Sequence, residues 1–228
     1  MHHWSVSASI SLSTAPWICR LWQTVVPGIA FHHDYLMHSI LALAALHVAH
    51  CNPSLNRSEP LLVDAARHYT KAISSFREAI VSLDKTNCDA VFTTAIIHIF
   101  YVFAISSRAS HNNFDALDAE WINMVRGCGA VLMPTYDEVS RGPLSGLLDI
   151  GDWTAISPDD NPSKDDARLT ALSDVWDAEK DPNDKIYAKT LMCLRLALKW
   201  MDDASLSDSK VYWAGPFIWL HIIPEEYL

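Results

Sequence analysis

The run Asn87-Cys-Asp-Ala-Val-Phe-Thr-Thr-Ala-Ile-Ile-His-Ile-Phe-Tyr-Val-Phe-Ala-Ile105 decides the fold. It is apolar almost all round rather than along one stripe, and a helix of that kind is touched by neighbours on every side. Its most apolar part, residues 90–105, is shorter than the roughly 20 residues a bilayer span needs. It also carries Thr93, Thr94, His98 and Tyr101. The expectation is a buried core helix and no membrane span. Thr86-Asn87-Cys88-Asp89 reads as a start of capping-box type.

Working outward, the neighbours that must cover this helix are legible by period. Ser58 and Pro60 open a long helix with Leu62, Ala65, Ala66, Tyr69, Ile73, Phe76, Ile80 and Leu83 on one face. Asp64, Arg67, Lys71, Arg77 and Glu78 lie opposite, as an amphipathic helix requires. Before it, a helix from about Asp34 carries Leu36, Ile40, Leu43, Ala44, Leu46 and Val48, and Asn52-Pro53 ends it. A first helix spans residues 12–26, with Pro16 in its first turn and Pro27-Gly28 as its stop. Downstream, helices are expected over 114–132, over 138–148 with a break at Gly142-Pro143, over 167–176, over 184–201 and over 207–223 with an interruption at Gly215-Pro216. Residues 157–166 (Ser-Pro-Asp-Asp-Asn-Pro-Ser-Lys-Asp-Asp) read as an exposed acidic linker. No alternating pattern persists beyond four or five residues. The expected fold is all-α: a single multi-helix orthogonal bundle over residues 1–228, enclosing a hydrophobic pocket.

Composition agrees and excludes several functions. The chain has 228 residues, half of them hydrophobic, enough for one substantial core. Seven glycines are too few for a β fold built on tight turns. The net charge of −10 opposes direct nucleic-acid binding, which phosphate neutralisation drives. Five scattered cysteines give neither a disulfide framework nor close zinc spacing. The N-terminus has no basic region followed by an apolar stretch, so no signal peptide is read there. Nine tryptophans are an excess that supplies large, rigid apolar surface.

Chemistry-bearing patterns are few. His47, His50 and Cys51 lack a further ligand at compatible spacing, so no metal is expected. The aspartates of 157–166 sit on a Pro- and Ser-broken stretch, unlike magnesium carboxylates on rigid elements. No Gly-x-Ser-x-Gly or Gly-rich phosphate cradle is present. No cofactor is expected. What remains is Thr94, His98 and Tyr101, which share one helix face. Two readings stay open: satisfied core residues, or the wall of a pocket completed by Trp121, Met124 and Arg126 from the next helix.

Four segments carry a family resemblance: His38-Ser-Ile-Leu-Ala-Leu-Ala-Ala-Leu-His-Val-Ala49, Ala65-Ala-Arg-His-Tyr-Thr-Lys-Ala-Ile73, Asn87-Cys-Asp-Ala90 and Trp121-Ile-Asn-Met-Val-Arg-Gly127. Together they resemble the C-terminal regulatory domain of fungal zinc binuclear cluster transcription factors of the sterol uptake control type. The resemblance runs from residue 1 to about 132 and resumes weakly near the C-terminus. It implies an all-α domain holding a sterol- or terpenoid-sized ligand in a deep apolar pocket. The six clustered cysteines and basic segment of that family's DNA-binding module are not in this sequence. The chain is therefore either an excised regulatory piece or a stand-alone protein.

The stand-alone form resembles the norbornene-forming Diels–Alderases of fungal diterpenoid pathways. That resemblance makes a cofactor-independent terpenoid pericyclase the leading expectation. A cycloaddition needs an apolar cavity that folds its substrate, and donors aimed at a carbonyl. His98, Tyr101 and Arg126 are the candidate donors. Thr94, Trp121, Met124, Trp200, Trp213 and Phe217 are the candidate substrate contacts. The rival is a sterol- or terpenoid-sensing regulatory domain, and a third reading is a homodimerising scaffold. The partner expected is a hydrophobic small molecule, and the location cytoplasmic, or nuclear for a transcription factor.

Overall fold

The structure is a computed structural model. It describes the chain except residues 14, 53–57, 110–117, 149–155, 161, 163, 180–181, 207–214 and 228. For 58, 107–109, 118–121, 177–179, 204–206, 215–217, 221 and 225 only the backbone is described. The described residues are helical with no strand, so the fold is all-α. The chain groups into two compact units, Met1–Asp149 and Ile150–Leu228.

In the first unit, short helical segments lead in: a π-turn Trp4–Ala8, α1 (Ser9–Ser11), α2 (Pro16–Arg20), a π-turn Leu21–Val25 and α3 (Val26–Ala30). The long elements are α4 (Asp34–Cys51), α5 (Ser58–Val81), α6 (Cys88–Ala109) and α7 (Asp118–Leu132), followed by α8 (Tyr136–Arg141). α6 is central, as its composition requires: Ala90 to Ala95 and Ile97 to Ile99 are all buried. α6 packs against α4, α5 and α7. At 22 residues it outruns the apolar stretch that predicts it, and its length alone would allow a membrane crossing. Burial within the fold, and the inward Thr93, Thr94 and His98, support the core-helix reading instead.

Two local expectations need correction. Pro27-Gly28 does not stop the first helix; the backbone stays helical from Pro16 to Ala30. The π-turn explains how. The Val26 N–H donates to Leu21 O, and Pro27 has no N–H to offer. The ring is accommodated in the first turn of α3, and the Trp22 carbonyl is left without a helical donor. The Trp4 indole Nε1–H fills that vacancy at 2.8 Å, in a buried site. Trp4 and Trp22 meet edge to face at 6.3 Å, and Trp22 meets Phe100 of α6 the same way at 6.2 Å. Part of the tryptophan excess is thus structural.

The second correction concerns the start of α6. Thr86 does not cap it; its hydroxyl and its N–H both donate to Asp84 Oδ1. Asn87 closes the previous helix, its amide donating to Ala79 O and Ser82 O. These are the carbonyls that a helix C-terminus leaves unpaired.

In the second unit, α9 (Asp166–Thr170) and α10 (Ser173–Glu179) precede α11 (Asp184–Leu206) and α12 (Gly215–Ile222). The acidic stretch is not a wholly solvated linker. The Arg195 Nε and Nη2 of α11 donate to Asp166 at 2.8 and 3.0 Å, and Nη2 reaches Asp159 at 2.7 Å. Asp166 is buried, and these hydrogen bonds hold its carboxyl below the usual range. A guanidinium fork offers donors in the plane a carboxylate needs, which is why one arginine can clasp this stretch.

Candidate functional site in the core of the first unit

Thr94, His98 and Tyr101 do share a face of α6, as their spacing of four and three demands, and all three are buried. That face meets a column of rings from α4 and α5. Tyr35 stands 6.1 Å from Phe76, and Phe76 meets His98 edge-on at 5.1 Å. On the other side Tyr69 meets His98 edge-on at 5.0 Å and stacks flat on Tyr101 at 3.9 Å. Tyr101 also packs with Ala42, Leu46 and Ala65.

Hydrogen bonding fixes the state of His98. The Ser39 hydroxyl donates its one hydrogen to Tyr35 O at 2.7 Å. The contact of 2.9 Å between Ser39 Oγ and His98 Nε2 must then be an Nε2–H donating to the hydroxyl oxygen. Burial lowers the His98 pKa to about 4, so the ring is neutral at pH 7. Burial also raises the Tyr101 phenol. His98 is therefore a satisfied, uncharged core residue with its Nε2 donor already used. Thr94 differs: its Oγ1 is fully buried and has no hydrogen-bond partner among the described residues. A buried hydroxyl without a partner is uncommon and costs free energy.

The other candidates are placed as follows. α7 packs on α6 and brings Met124 and Arg126, both half-buried, with Arg126 already partnered. Trp121 lies on α7, with its side chain outside the described residues. Trp200 is buried on α11 in the second unit. Phe217 lies on α12, again with only its backbone described, and Trp213 falls outside the described residues.

Sequence reasoning missed Ser39 and the paired histidines. Ser39 had a signal: it interrupts the inward stripe Leu36, Ile40, Leu43, where a polar group needs a partner. His38 Nδ1 meets His68 Nδ1 at 2.8 Å, joining α4 to α5. His47 Nδ1 meets His3 Nε2 at 2.9 Å, with the Cys51 thiol 3.6 Å away. Burial and the neighbouring imidazoles lower the pKa of His3, His47 and His68. Among the described residues, no group of three or more His, Cys, Asp or Glu is arranged to hold a metal ion.

Comparison with known proteins identifies the segment that carries this core. The fungal specific transcription factor domain matches residues 1–137. The chain belongs to that family. The family segment thus covers α1 to α7 and stops short of the second unit. Sterol uptake control protein 2 of Candida albicans is 30% identical over 154 residues, covering 66% of this chain and 21% of that protein. Sterol uptake control protein 2 of Saccharomyces cerevisiae is 26% identical over 149 residues, covering 61% of this chain and 15% of that protein. A Zn(2)-C6 fungal-type transcription factor of Aspergillus fumigatus is 30% identical over 134 residues, covering 58% and 35%. The chain spans from about a seventh to about a third of these relatives' lengths. No solved structure matches. None of these relatives is named as an enzyme, so the comparisons back the regulatory reading over the pericyclase that the sequence put first.

Proposed function

We propose that this chain is the ligand-sensing regulatory part of a fungal transcription factor, working in the nucleus, and that its ligand is an apolar molecule of sterol or terpenoid size. The observation that carries the reading is the 30% identity over 154 residues to a sterol uptake control protein. The chemistry of the family segment supports it. Its interior is aliphatic and aromatic, with few polar groups, the character of sites that hold apolar small molecules. The unpartnered Thr94 hydroxyl is the group such a ligand's single hydroxyl or carbonyl would satisfy. Met124 and Arg126 on α7 belong to the proposed wall. His98 and Tyr101 act as positioning residues, since Ser39 and Tyr69 already engage them. Sensing requires that the ligand bind one conformation of the helices better than another.

The test is a titration of the purified chain with an intrinsically fluorescent sterol. Saturable binding with a rise in melting temperature is expected. Thr94→Val keeps the shape but removes the hydroxyl. It should leave the free protein as stable or more stable, and weaken binding by about tenfold, the worth of one buried hydrogen bond. Absence of saturable binding overturns the proposal. So does conversion of a terpenoid precursor by the protein above the buffer rate.

A further inference from the structure

Ser157-Pro158-Asp159-Asp160 precedes the part of the second unit that Arg195 clasps. Of the chain's 11 prolines, only Pro158 follows a serine or a threonine. A proline biases the residue before it toward extended backbone and offers no N–H of its own. Pro158 is buried and anchors the turn, Ser157 is half-buried, and Asp159 and Asp160 are exposed. The Asp160 N–H donates to Ser157 O at 3.2 Å and closes the turn. Arg195 of α11 reaches this turn: its Nη2 donates to Asp159, two residues after Ser157, at 2.7 Å. Its Nε donates to Asp166 at 2.8 Å. A guanidinium carries five N–H donors. Among the described residues, the Arg195 Nη1 meets no oxygen, and its contact is the Met192 sulfur at 4.0 Å. One edge of the fork is thus left for a stronger acceptor, beside the serine of the chain's one Ser-Pro pair.

We propose that Ser157 is a phosphorylation site for a proline-directed protein kinase, and that Arg195 receives the phosphate. The kinase takes the γ-phosphoryl group from ATP. The bond from Ser157 Oγ to phosphorus forms, the bond from phosphorus to the ADP oxygen breaks, and the hydroxyl proton passes to the kinase's base. The product carries a charge of about −1.5 to −2 and three strong acceptor oxygens. Planar donors in a fork suit a phosphate as they suit a carboxylate. Asp159 is the group that yields. Its side chain is 69% exposed, so moving it into water costs little. Repulsion from the new dianion drives the same exchange. Arg195 keeps its Nε on Asp166, so the turn at Ser157 becomes held to α11 by a phosphate in place of a carboxylate. No part of this depends on a ligand in the first unit.

The experiment incubates the whole folded 228-residue chain with a purified proline-directed kinase, magnesium and ATP. Mass spectrometry is expected to find one phosphoryl group, on Ser157, and none in Ser157→Ala. Phosphorus NMR then follows the second ionisation of the phosphoserine, ordinarily near pH 6. Contact with Arg195 should strengthen that ionisation by about threefold or more, an arginine's pull on an acid discounted for partial exposure. Arg195→Met should return it to the ordinary value, and Arg195→Lys should recover part of the shift, since a point charge lacks the fork. Should Arg195→Met lose its helical circular dichroism, Asp159→Asn carries the test. It removes the competing carboxylate and should strengthen the ionisation further. Transfer to the heat-unfolded chain but not to the folded one overturns the proposal, as does transfer to another residue. A phosphoserine that ionises at its ordinary value in the parental chain and in Asp159→Asn also overturns it. Thr94→Val reads the sterol site separately, so the two proposals fail independently.

Discussion

The two units solve the problem of buried polar groups in opposite ways. The first joins its helices through rings and hydroxyls: Ser39 to His98, His38 to His68, His3 to His47, and the Trp4 indole to Trp22 O. The second joins α9 to α11 through full charges, Arg195 against Asp159 and Asp166. Neutral contacts suit an apolar interior, because an isolated charge there is costly. The family match follows the same division, covering residues 1–137 only.

The largest effect should come from breaking the apolar side of that contrast. Trp22 is fully buried and bridges Trp4 and Phe100. Trp22→Ala is expected to cost about 3–5 kcal/mol, the usual range for an emptied aromatic site. Peptide-resolved amide exchange should show the loss across α4 to α7.

Acid sharpens the comparison next. The folded pKa of His98 is lowered, so the unfolded chain takes up the proton first as pH falls. The stability tied to a neutral His98 is fully present above pH 6.5 and is lost as pH falls from there to about 4, amounting to about 3 kcal/mol. His3, His47 and His68 shift in the same direction and add to the slope. Asp166 behaves differently: its pKa is depressed, so its contribution persists until pH falls below the usual carboxylate range. Acid unfolding should therefore begin in the first unit while the Arg195 clasp still holds. His98→Phe, which leaves the Ser39 hydroxyl on Tyr35 O, should flatten the slope between pH 6.5 and 4. An unchanged slope would place the proton uptake elsewhere.

The smallest effect is the most local. Trp4→Phe preserves the ring packing but leaves the Trp22 carbonyl without a donor, and is expected to cost about 1–3 kcal/mol. Thermal melts of the two proteins check it. A cost near zero would mean that water replaces the indole.

The α6 core was readable because a helix apolar on all faces has only one comfortable place. The shared face of Thr94, His98 and Tyr101 was readable from spacing alone. Which of them keeps a free polar group was not, since that depends on Ser39, 59 residues away from His98. The Arg195 clasp spans 29 and 36 residues and leaves no trace in local period. Pro27 misled for a related reason: a proline stops a helix unless an upstream π-turn makes room. The pericyclase expectation came from resemblance rather than from any residue pattern, and the relatives found point to regulation instead.

The central claim is that the core of the family segment senses an apolar ligand. Hydrogen exchange of the whole chain with and without saturating fluorescent sterol tests it most directly. The account predicts slower exchange along α6 around Thr94 to Tyr101, lost in Thr94→Val. Identical exchange along α6 in the two states would contradict it.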